Sequence, residues 1–449
     1  MKSPANFIYT TSLLFLLFSK SFSQASFNTA KMDSLLDAYD QKNKLMLSLS
    51  ISQDGNLVYS RAIGYAEVET NTKANLTTKY RIGSITKMFT SVMIQQLIEE
   101  KKLKLSTTLS KFFPKIRNAK KITIEQLLQH RTGLHNYTDD LGFFTDNVNP
   151  KTEKEMLELF YSQPNDFEPG EKYKYANTNY VLLGYIIEKL TKKSYPEALQ
   201  ERILNKIGLK NTYYGGKTDV SKNEARSYVY LNKTWTLGPE WDMSLIHGAG
   251  AIVSTTEDLV KFIEALFSYQ LISDKSVKQM CTLKDNYGFG MVSIPFYSKF
   301  ALGHNGHWDV FESMVGYFPL ENMSIAFSAN GKNANTNDFI IAVLSIYFNL
   351  PYEIPKFNTH EVPESILDEY VGAYHSDLLQ MDFIIAKDGL SLTCQTQDQL
   401  AFILEAVDDF NFKYEAAGLV IEFKRNDQNI VDQLILKQAG MEFVFSKHK

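Results

Sequence analysis

A serine and a lysine three residues apart form the first pair in this chain whose spacing suits chemistry. Ser84 and Lys87 begin an apolar pattern of helical period over residues 85–97, so one helical turn would place the lysine amine beside the serine hydroxyl. A serine hydroxyl needs a base to attack at neutral pH, and a lysine serves when burial lowers its pKa. The pair therefore indicates a nucleophile and its base. Alone the spacing is weak, because it also fits an N-cap serine before a solvated lysine and recurs at Ser446 and Lys449.

A tyrosine and an asparagine form a second candidate pair, at Tyr175 and Asn177. A tyrosine beside a cationic lysine can be partly deprotonated and can shuttle a proton to a leaving group. The asparagine amide can bind both the lysine and a substrate carbonyl. A Pro-Gly turn at 169–170 and an apolar helical run over 180–187 distinguish this pair from other Tyr-x-Asn matches. The alternative is a core tyrosine that closes a turn.

A histidine followed by glycine two positions later forms the third candidate, at His304 and Gly306. A glycine at a strand edge lets a ligand approach the backbone closely. The next amide, on His307, could complete an oxyanion hole with the amide of Ser84. The alternative is an ordinary loop histidine.

The three motifs in this order resemble those of the serine hydrolases that include class C β-lactamases and D-alanyl-D-alanine carboxypeptidases. Further segments of similar type extend the resemblance, at 127–134, 167–170, 248–250 and 254–259. It covers about residues 28–350 and implies an α/β (α+β) fold of the β-lactamase and transpeptidase type. In such a fold a mainly antiparallel sheet is flanked by helices and carries an inserted helical subdomain.

The resemblance also implies roles for the matching residues. Ser84 would be the acylated nucleophile, with Lys87 as its base or electrostatic partner. Tyr175 would relay protons to the leaving group and activate the deacylating water, and Asn177 would orient the substrate amide. The reaction is then hydrolysis of a peptide, amide or ester bond through an acyl-enzyme, as in a carboxypeptidase or an esterase.

One departure from the family pattern concerns the substrate. His304 stands where β-lactamases of this kind usually have lysine, and a mostly neutral imidazole binds a carboxylate less strongly than an ammonium does. Gly306 and His307 would also contact the substrate, and the segment 307–311 is bulky where relatives are often glycine-rich. This departure favours a carboxypeptidase or esterase over a class C-like β-lactamase. That β-lactamase and a non-catalytic, penicillin-recognising protein are the alternatives.

The elements that must position these residues can be read from the apolar periodicity. Residues 28–40 predict a helix, and two apolar runs around Asp54-Gly55 predict a hairpin. Helical patterns dominate from about 85 to 210, and strand-like runs return at 288–294, 311–318 and 323–328. A sheet built from both ends of a segment, with helices between them, is typical of an α/β or α+β enzyme.

A second, smaller domain is predicted after a stiff linker at 351–355. Short apolar runs recur there, at 381–386, 390–395, 400–404, 419–424, 430–436 and 441–445. Many short strands at regular spacing predict a small all-β barrel over residues 356–449, and the segment resembles the lipocalin-like barrels appended to some members of the family. The catalytic domain would then occupy residues 24–350.

The composition excludes several other classes of protein. The 449 residues carry 47 basic and 51 acidic side chains, which gives no electrostatic footprint for nucleic acid. Cys281 and Cys394 are too few for a disulfide framework and lie outside any Cys/His zinc spacing, so neither a metal nor a cofactor is expected. Residues 1–23 combine a charged start, a short apolar run and a small-residue exit, which predicts a cleaved signal peptide, an exported protein and no lasting membrane anchor.

Overall fold

The computed structural model describes residues 27–140, 142–143, 149–231, 233–357, 360–396 and 401–448. The predicted signal peptide at 1–23 lies outside the described residues. In the part of the chain that is described, no helix is both long and apolar enough to cross a bilayer.

Strands and helices alternate along the chain before a run of strands at its C-terminal end. The strands are β1 (Leu45–Gln53), β2 (Asn56–Ile63), β3 (Tyr65–Glu67), β4 (Thr72–Lys73), β5 (Tyr80–Arg81), β6 (Tyr213–Tyr214), β7 (Tyr228–Leu231), β8 (Thr234–Leu237), β9 (Ile252–Ser254), β10 (Val292–Phe296), β11 (Lys299–Trp308), β12 (Phe311–Phe318), β13 (Met323–Lys332), β14 (Gly372–Ser376), β15 (Met381–Asp388), β16 (Ser391–Thr396), β17 (Phe402–Ala406), β18 (Asn411–Tyr414), β19 (Leu419–Arg425), β20 (Val431–Gln438) and β21 (Met441–Lys447). The α-helices are α1 (Thr29–Gln41), α2 (Thr86–Glu99), α3 (Ile124–Leu128), α4 (Glu153–Ser162), α5 (Asn177–Thr191), α6 (Tyr195–Leu199), α7 (Asn205–Ile207), α8 (His247–Gly250), α9 (Thr256–Phe267), α10 (Asp274–Cys281), α11 (Thr336–Tyr347) and α12 (Glu364–Tyr370). A π-helical turn at Gln200–Leu204 joins α6 to α7.

The main sheet is built from strands at both ends of the segment 45–332, as the sequence predicts. Its strand order is β10-β11-β12-β13-β1-β2, all antiparallel neighbours, with β7 parallel to the end of β13 and β8 paired to β7. The predicted hairpin joins β1 to β2, and its turn residues Asp54 and Gly55 have φ of 52° and 78°, which suits an Asp-Gly turn. The expected strand at 288–294 is wrong at its start: β10 begins at Val292 because Gly290, with φ of 68°, turns the chain.

Alternation along β1 explains why helices cover both faces of the sheet. Its leucines and isoleucine pack with α1 and α11 in one core. Its serines face the opposite layer, where the Ser50 hydroxyl lies 2.7 Å from that of Thr256 at the start of α9. Small hydroxyl side chains on this face let the helix approach closely, and the hydroxyls of Ser50 and Thr256 satisfy each other inside the protein. Helices α2 and α5 contribute to the second and larger core behind this face.

The C-terminal strands form a closed barrel in the order β14 to β21, with its own apolar core. Each predicted strand run corresponds to a barrel strand, whereas the short strands β14 and β18 have no counterpart among the predicted runs. Between Tyr347 and Glu364 the described residues contain no helix or strand, and the predicted boundaries at 350 and 355 fall in this stretch. Phe357 within it is buried, with its ring centroid 4.8 Å from that of Tyr39 in α1.

Candidate active site

Ser84 lies in a single 3-10 turn, Gly83–Ile85, that leads into α2. The helix itself begins at Thr86, so the expectation that Ser84 is its first residue is wrong by one short turn. Gly83 has φ of 51°, and a Cβ there would lie 2.7 Å from the backbone nitrogen of His307. Glycine is therefore required, because β11 passes directly against the turn that holds Ser84.

Lys87 is fully buried and contacts Ser84 as the spacing predicts. Its Nζ lies 2.9 Å from Ser84 Oγ, 2.8 Å from Asn177 Oδ1 and 2.8 Å from the carbonyl oxygen of Ala249. Burial holds the pKa of the Lys87 amine well below its usual range. A neutral amine has two N–H donors and one lone pair, and these match two carbonyl acceptors and one serine hydroxyl. The site is thus arranged for Lys87 to accept the proton of Ser84.

Tyr175 reaches the same hydroxyl from the other side, and its OH donates to Ser84 Oγ at 2.8 Å. Lys87 Nζ lies 4.8 Å from the centre of the Tyr175 ring. Burial raises the pKa of Tyr175 above its usual value. The expectation of a partly deprotonated tyrosine is therefore wrong: desolvation of the phenolate outweighs the attraction of a lysine that is itself close to neutral. Tyr175 stands as a neutral acid.

Asn177 is the first residue of α5, and both polar atoms of its side chain are hydrogen-bonded. Its Oδ1 accepts from Lys87, and its Nδ2 donates to the hydroxyl of Thr138 at 3.1 Å. Its backbone N–H donates to Asn136 Oδ1 at 2.8 Å. Asn177 therefore holds the lysine in place, as the sequence predicts, while Nδ2 faces Thr138 beside the site.

His130 is a buried residue of the site that motif reasoning missed. Its Nδ1 accepts hydrogen bonds from the Ala176 backbone and from Asn179 Nδ2, both at 3.1 Å. Its ring lies 4.3 Å from the ring of Tyr175, centroid to centroid. Burial first, and then Lys87 and His304, keep the pKa of His130 well below its usual value, so the ring is neutral. The available signal was the segment 127–134, which the resemblance placed near the site without giving this histidine a role.

His304 is buried and neutral in the structure. Its Nδ1 lies 2.5 Å from the carbonyl oxygen of Asn305, so Nδ1 carries the proton, and its Nε2 then accepts from the hydroxyl of Tyr287 at 3.0 Å. Burial, and next the nearby Lys87, lowers the pKa of His304 to about 3. The imidazole therefore carries no positive charge at neutral pH, which sharpens the expectation drawn from the missing lysine.

Strand β11 brings Gly306 and His307 against the turn Gly83–Ile85, which holds Ser84. A Cβ on Gly306 would lie 1.9 Å from the carbonyl oxygen of Ile82 and 3.1 Å from the backbone nitrogen of Ser84. This close passage brings together the two backbone segments that the oxyanion-hole hypothesis requires. The His307 side chain is itself 64% exposed and has its Nε2 3.5 Å from Glu312.

A buried ion pair fixes the two chain segments that approach each other here. Arg81, three residues before Ser84, donates to Asp309 at 2.7 Å and to Glu240 at 2.6 Å. It also donates to the carbonyl oxygens of Trp241 and Gly216. Asp309 follows β11 in the turn to β12, so this guanidinium joins the segment before the nucleophile to the end of the β11 strand. Motif reasoning did not single out this pair.

An antiparallel sheet flanked by helices, with a Ser-x-x-Lys pair at the start of a buried helix, defines the β-lactamase and transpeptidase class of folds. The chain belongs to the Beta-lactamase family, whose model matches residues 32–344.

Two relatives and two solved structures illustrate the range of this similarity. Teichoic acid D-alanine hydrolase of Staphylococcus aureus is 26% identical over 333 residues, which cover 73% of this chain and 80% of that protein. Protein flp of Staphylococcus aureus strain MW2 is 26% identical over 376 residues, 79% of this chain and 72% of that protein. D-amino acid amidase from Ochrobactrum anthropi SV3, in complex with L-phenylalanine amide, has a TM-score of 0.64 at 25% identity, over 72% of this chain and 98% of that one. The octameric penicillin-binding protein homologue from Pyrococcus abyssi has a TM-score of 0.63 at 23% identity. The match covers 93% of this chain and 99% of that one, and it shows similarity of fold.

Proposed function

We propose that this protein is a serine hydrolase that cleaves D-aminoacyl esters or amides through an acyl-enzyme on Ser84. One observation carries the proposal: Ser84 Oγ lies within hydrogen-bond distance of both the Lys87 amine, at 2.9 Å, and the Tyr175 hydroxyl, at 2.8 Å. A nucleophile flanked by a base that can take its proton and an acid that can protonate the leaving group has the parts needed for acyl transfer.

In acylation, Ser84 Oγ attacks the carbonyl carbon of the substrate and its proton passes to the neutral Lys87 amine. The backbone N–H groups of Ser84 and His307 stabilise the negative charge that develops on the carbonyl oxygen. The bond to the leaving group breaks as Tyr175 donates its proton to that group. Lys87 then returns its proton to Tyr175, so both residues regain their starting state beside the acyl-serine.

In deacylation, a water molecule attacks the acyl carbon and gives its proton through Tyr175 to Lys87. The bond between the acyl carbon and Ser84 Oγ breaks, and Lys87 returns the proton to Ser84. The products are a carboxylic acid and the free enzyme, and the protons balance across the two steps. Asn177 accepts from Lys87 throughout and keeps its amine directed at Ser84.

Because His304 is neutral, the site favours esters and amides over peptides that end in a carboxylate beside the scissile bond. A D-alanyl-D-alanine peptide has that carboxylate, and a neutral imidazole with both nitrogens engaged offers it no cation. A D-alanyl ester or a D-aminoacyl amide has no such group. The hydrolase of teichoic acid D-alanine and the D-amino acid amidase among the similar proteins support this substrate class.

A panel of substrates tests the proposal. We expect hydrolysis of a chromogenic D-alanyl ester and of D-phenylalanine amide, each faster than that of its L-enantiomer. D-Alanyl-D-alanine peptides and a chromogenic cephalosporin should be turned over more slowly, and the Ser84→Ala variant should turn over none of the panel. The proposal fails if neither D-substrate is hydrolysed faster by the wild-type protein than by Ser84→Ala.

Export to the cell envelope or beyond also belongs to this proposal. It is supported by the charged start, apolar run and small-residue exit of residues 1–23. N-terminal sequencing of the protein secreted by an expressing cell should find Gln24 first, and a chain that keeps residues 1–23 would contradict it.

A further inference from the structure

A cluster of two imidazoles and a carboxylate lies outside the active site, where the barrel closes on itself. His375 of β14 and Asp382 of β15 are directly paired across the two strands, so their side chains share one face. His448 follows β21, and its backbone N–H donates to the carbonyl oxygen of Ala373 at 2.8 Å. Three segments of the chain therefore deliver one polar side chain each to the same place.

The three side chains are arranged around one carboxylate oxygen. Asp382 Oδ1 lies 2.7 Å from His375 Nδ1 and 3.6 Å from His448 Nε2. One ligand atom from each residue falls within 4.8 Å of the other two. In a tetrahedral zinc site, ligand atoms about 2.0–2.1 Å from the ion are roughly 3.3 Å apart. The two separations from Asp382 Oδ1, 2.7 Å and 3.6 Å, lie on either side of that value, and the side chain of His448 is exposed.

A second carboxylate, on the fully exposed Asp377, lies close to His375. The other ring nitrogen of His375, Nε2, lies 3.5 Å from Asp377 Oδ1. A metal-bound histidine almost always donates its free N–H to a carboxylate, a carbonyl or water, which fixes the ring and raises its basicity. Lys447, which directly precedes His448, has its Nζ 2.8 Å from the carbonyl oxygen of Glu369.

We infer that His375, Asp382 and His448 bind one divalent transition-metal ion, Zn²⁺ in the first instance, on the outer surface of the barrel. Two imidazoles and one carboxylate are a ligand set that zinc uses, with the fourth position open to water. The site joins β14, β15 and the end of β21. The ladder between β14 and β21 has only two residue pairs, Tyr374 with Lys447 and His375 with Ser446. A bound ion would therefore stabilise the barrel at one of its shortest seams.

Among the described residues this is the one group of three such side chains whose ligand atoms converge. His135 shows the contrast, since its Nδ1 faces Asp166 and its Nε2 faces Asp140. Those carboxylates lie on opposite edges of the ring and cannot share an ion with it. His360 forms a single pair with Asp409 at 2.8 Å and provides a matched control.

The test uses untagged full-length protein stripped with EDTA and dialysed free of chelator. Calorimetric titration with ZnCl₂ should show one ion per chain, and CoCl₂ should give the visible absorption of a four- or five-coordinate ion. His448→Ala and Asp382→Asn should each weaken zinc binding at least tenfold, and Asp377→Asn should weaken it less. His360→Gln should bind as the wild type does.

Thermal unfolding with and without zinc supplies a second readout. Zinc should raise the barrel's unfolding temperature by several degrees in the wild type and in His360→Gln, and by much less in His448→Ala and Asp382→Asn. The inference is overturned if wild-type protein binds no stoichiometric zinc, or if His448→Ala and Asp382→Asn both bind it as tightly as His360→Gln. His448 is exposed and follows the last strand, so its replacement leaves the barrel core intact.

Discussion

The protonation state of Lys87 decides what Ser84 can do. A lysine that keeps its proton can only donate to the serine hydroxyl, whereas a neutral lysine can accept from it. The contacts of Nζ are two carbonyl-type acceptors and one hydroxyl, and burial disfavours the ammonium. The same burial raises the pKa of Tyr175 and favours its neutral phenol, so one physical cause underlies both the proposed base and the proposed acid.

The depressed pKa of Lys87 predicts how stability changes with pH. The unfolded chain protonates this lysine below its usual value of 10.5, whereas the folded protein protonates it only at lower pH. Between those two values the unfolded state binds more protons, so the free energy of unfolding rises with pH by up to about 1.4 kcal/mol per unit from this group. Lys87→Met should lack this contribution. In urea unfolding from pH 7 to pH 10, the free energy of unfolding of the wild type should rise relative to that of Lys87→Met. Parallel pH dependence of the two free energies would contradict the depressed pKa of Lys87.

Removal of the Tyr175 hydroxyl tests its role as the acid. Tyr175→Phe should lower kcat by about 10²–10⁴-fold, the usual range for loss of a general acid, and leave thermal stability nearly unchanged. Tyr173→Phe is the matched control, because Tyr173 lies in the same aromatic cluster, with its ring 5.9 Å from that of Tyr287. Steady-state kinetics on a D-aminoacyl ester would measure both variants. A loss in the control as large as that in Tyr175→Phe would mean that the cluster, and not the hydroxyl, is responsible.

At the scale of elements, the site depends on the close approach of β11 to the turn that holds Ser84. Gly83 faces the backbone of His307, and Gly306 faces the backbone of Ile82 and Ser84. Arg81 ties the neighbouring segments together through Asp309. Backbone that approaches this closely leaves no room for side chains, which explains why a Gly lies on each side.

A single methyl group at this contact should disable the enzyme. Gly306→Ala would place Cβ 1.9 Å from the carbonyl oxygen of Ile82, so β11 must move away from Ser84. We expect kcat/KM to fall by at least about 100-fold, the effect of losing one oxyanion-hole donor. Gly216→Ala is the control, since nothing lies within 4 Å of a Cβ there. Retention of full activity in Gly306→Ala, measured with a D-aminoacyl ester, would refute the proposed oxyanion hole.

The sequence predicts the elements better than the contacts between them. The period of residues 85–97 and the Asp54-Gly55 turn are local, so helix α2 and the β1–β2 hairpin could be predicted from them. His130 and the ion pair between Arg81 and Asp309 reach the site through long-range packing, which no spacing in the chain encodes. The prediction for the charge of Tyr175 is wrong for the same reason: desolvation depends on the whole surrounding core.

At the scale of the whole molecule, Lys44 connects the barrel to the catalytic region. It immediately precedes β1, and its side chain is 4% exposed between Glu405 and Glu415, at 2.5 Å and 3.0 Å. Both carboxylates belong to barrel segments, so one ammonium neutralises two acids across the contact.

Replacement of Lys44 should weaken this contact without affecting chemistry. Lys44→Met leaves Glu405 without its cation and Glu415 with only Lys413, at 2.6 Å, and should cost about 1–3 kcal/mol, the usual cost of a polar group that loses its partner. We expect the barrel to unfold at a lower temperature than the catalytic region in calorimetry, with kcat unchanged. Lys42→Met, at an exposed position two residues earlier, is the control. Identical calorimetric profiles for the two variants would show that Lys44 does not couple the two units.

Every step of the proposed reaction depends on an acyl-enzyme formed at Ser84. Mass spectrometry of the full chain after treatment with a fluorophosphonate, which reacts with an activated serine, measures that dependence. We expect one adduct per chain, located by peptide mapping to the segment that contains Ser84, and no adduct in Ser84→Ala. An adduct of equal yield on another residue, or equal labelling of the wild type and Ser84→Ala, would contradict the assignment of Ser84 as the nucleophile.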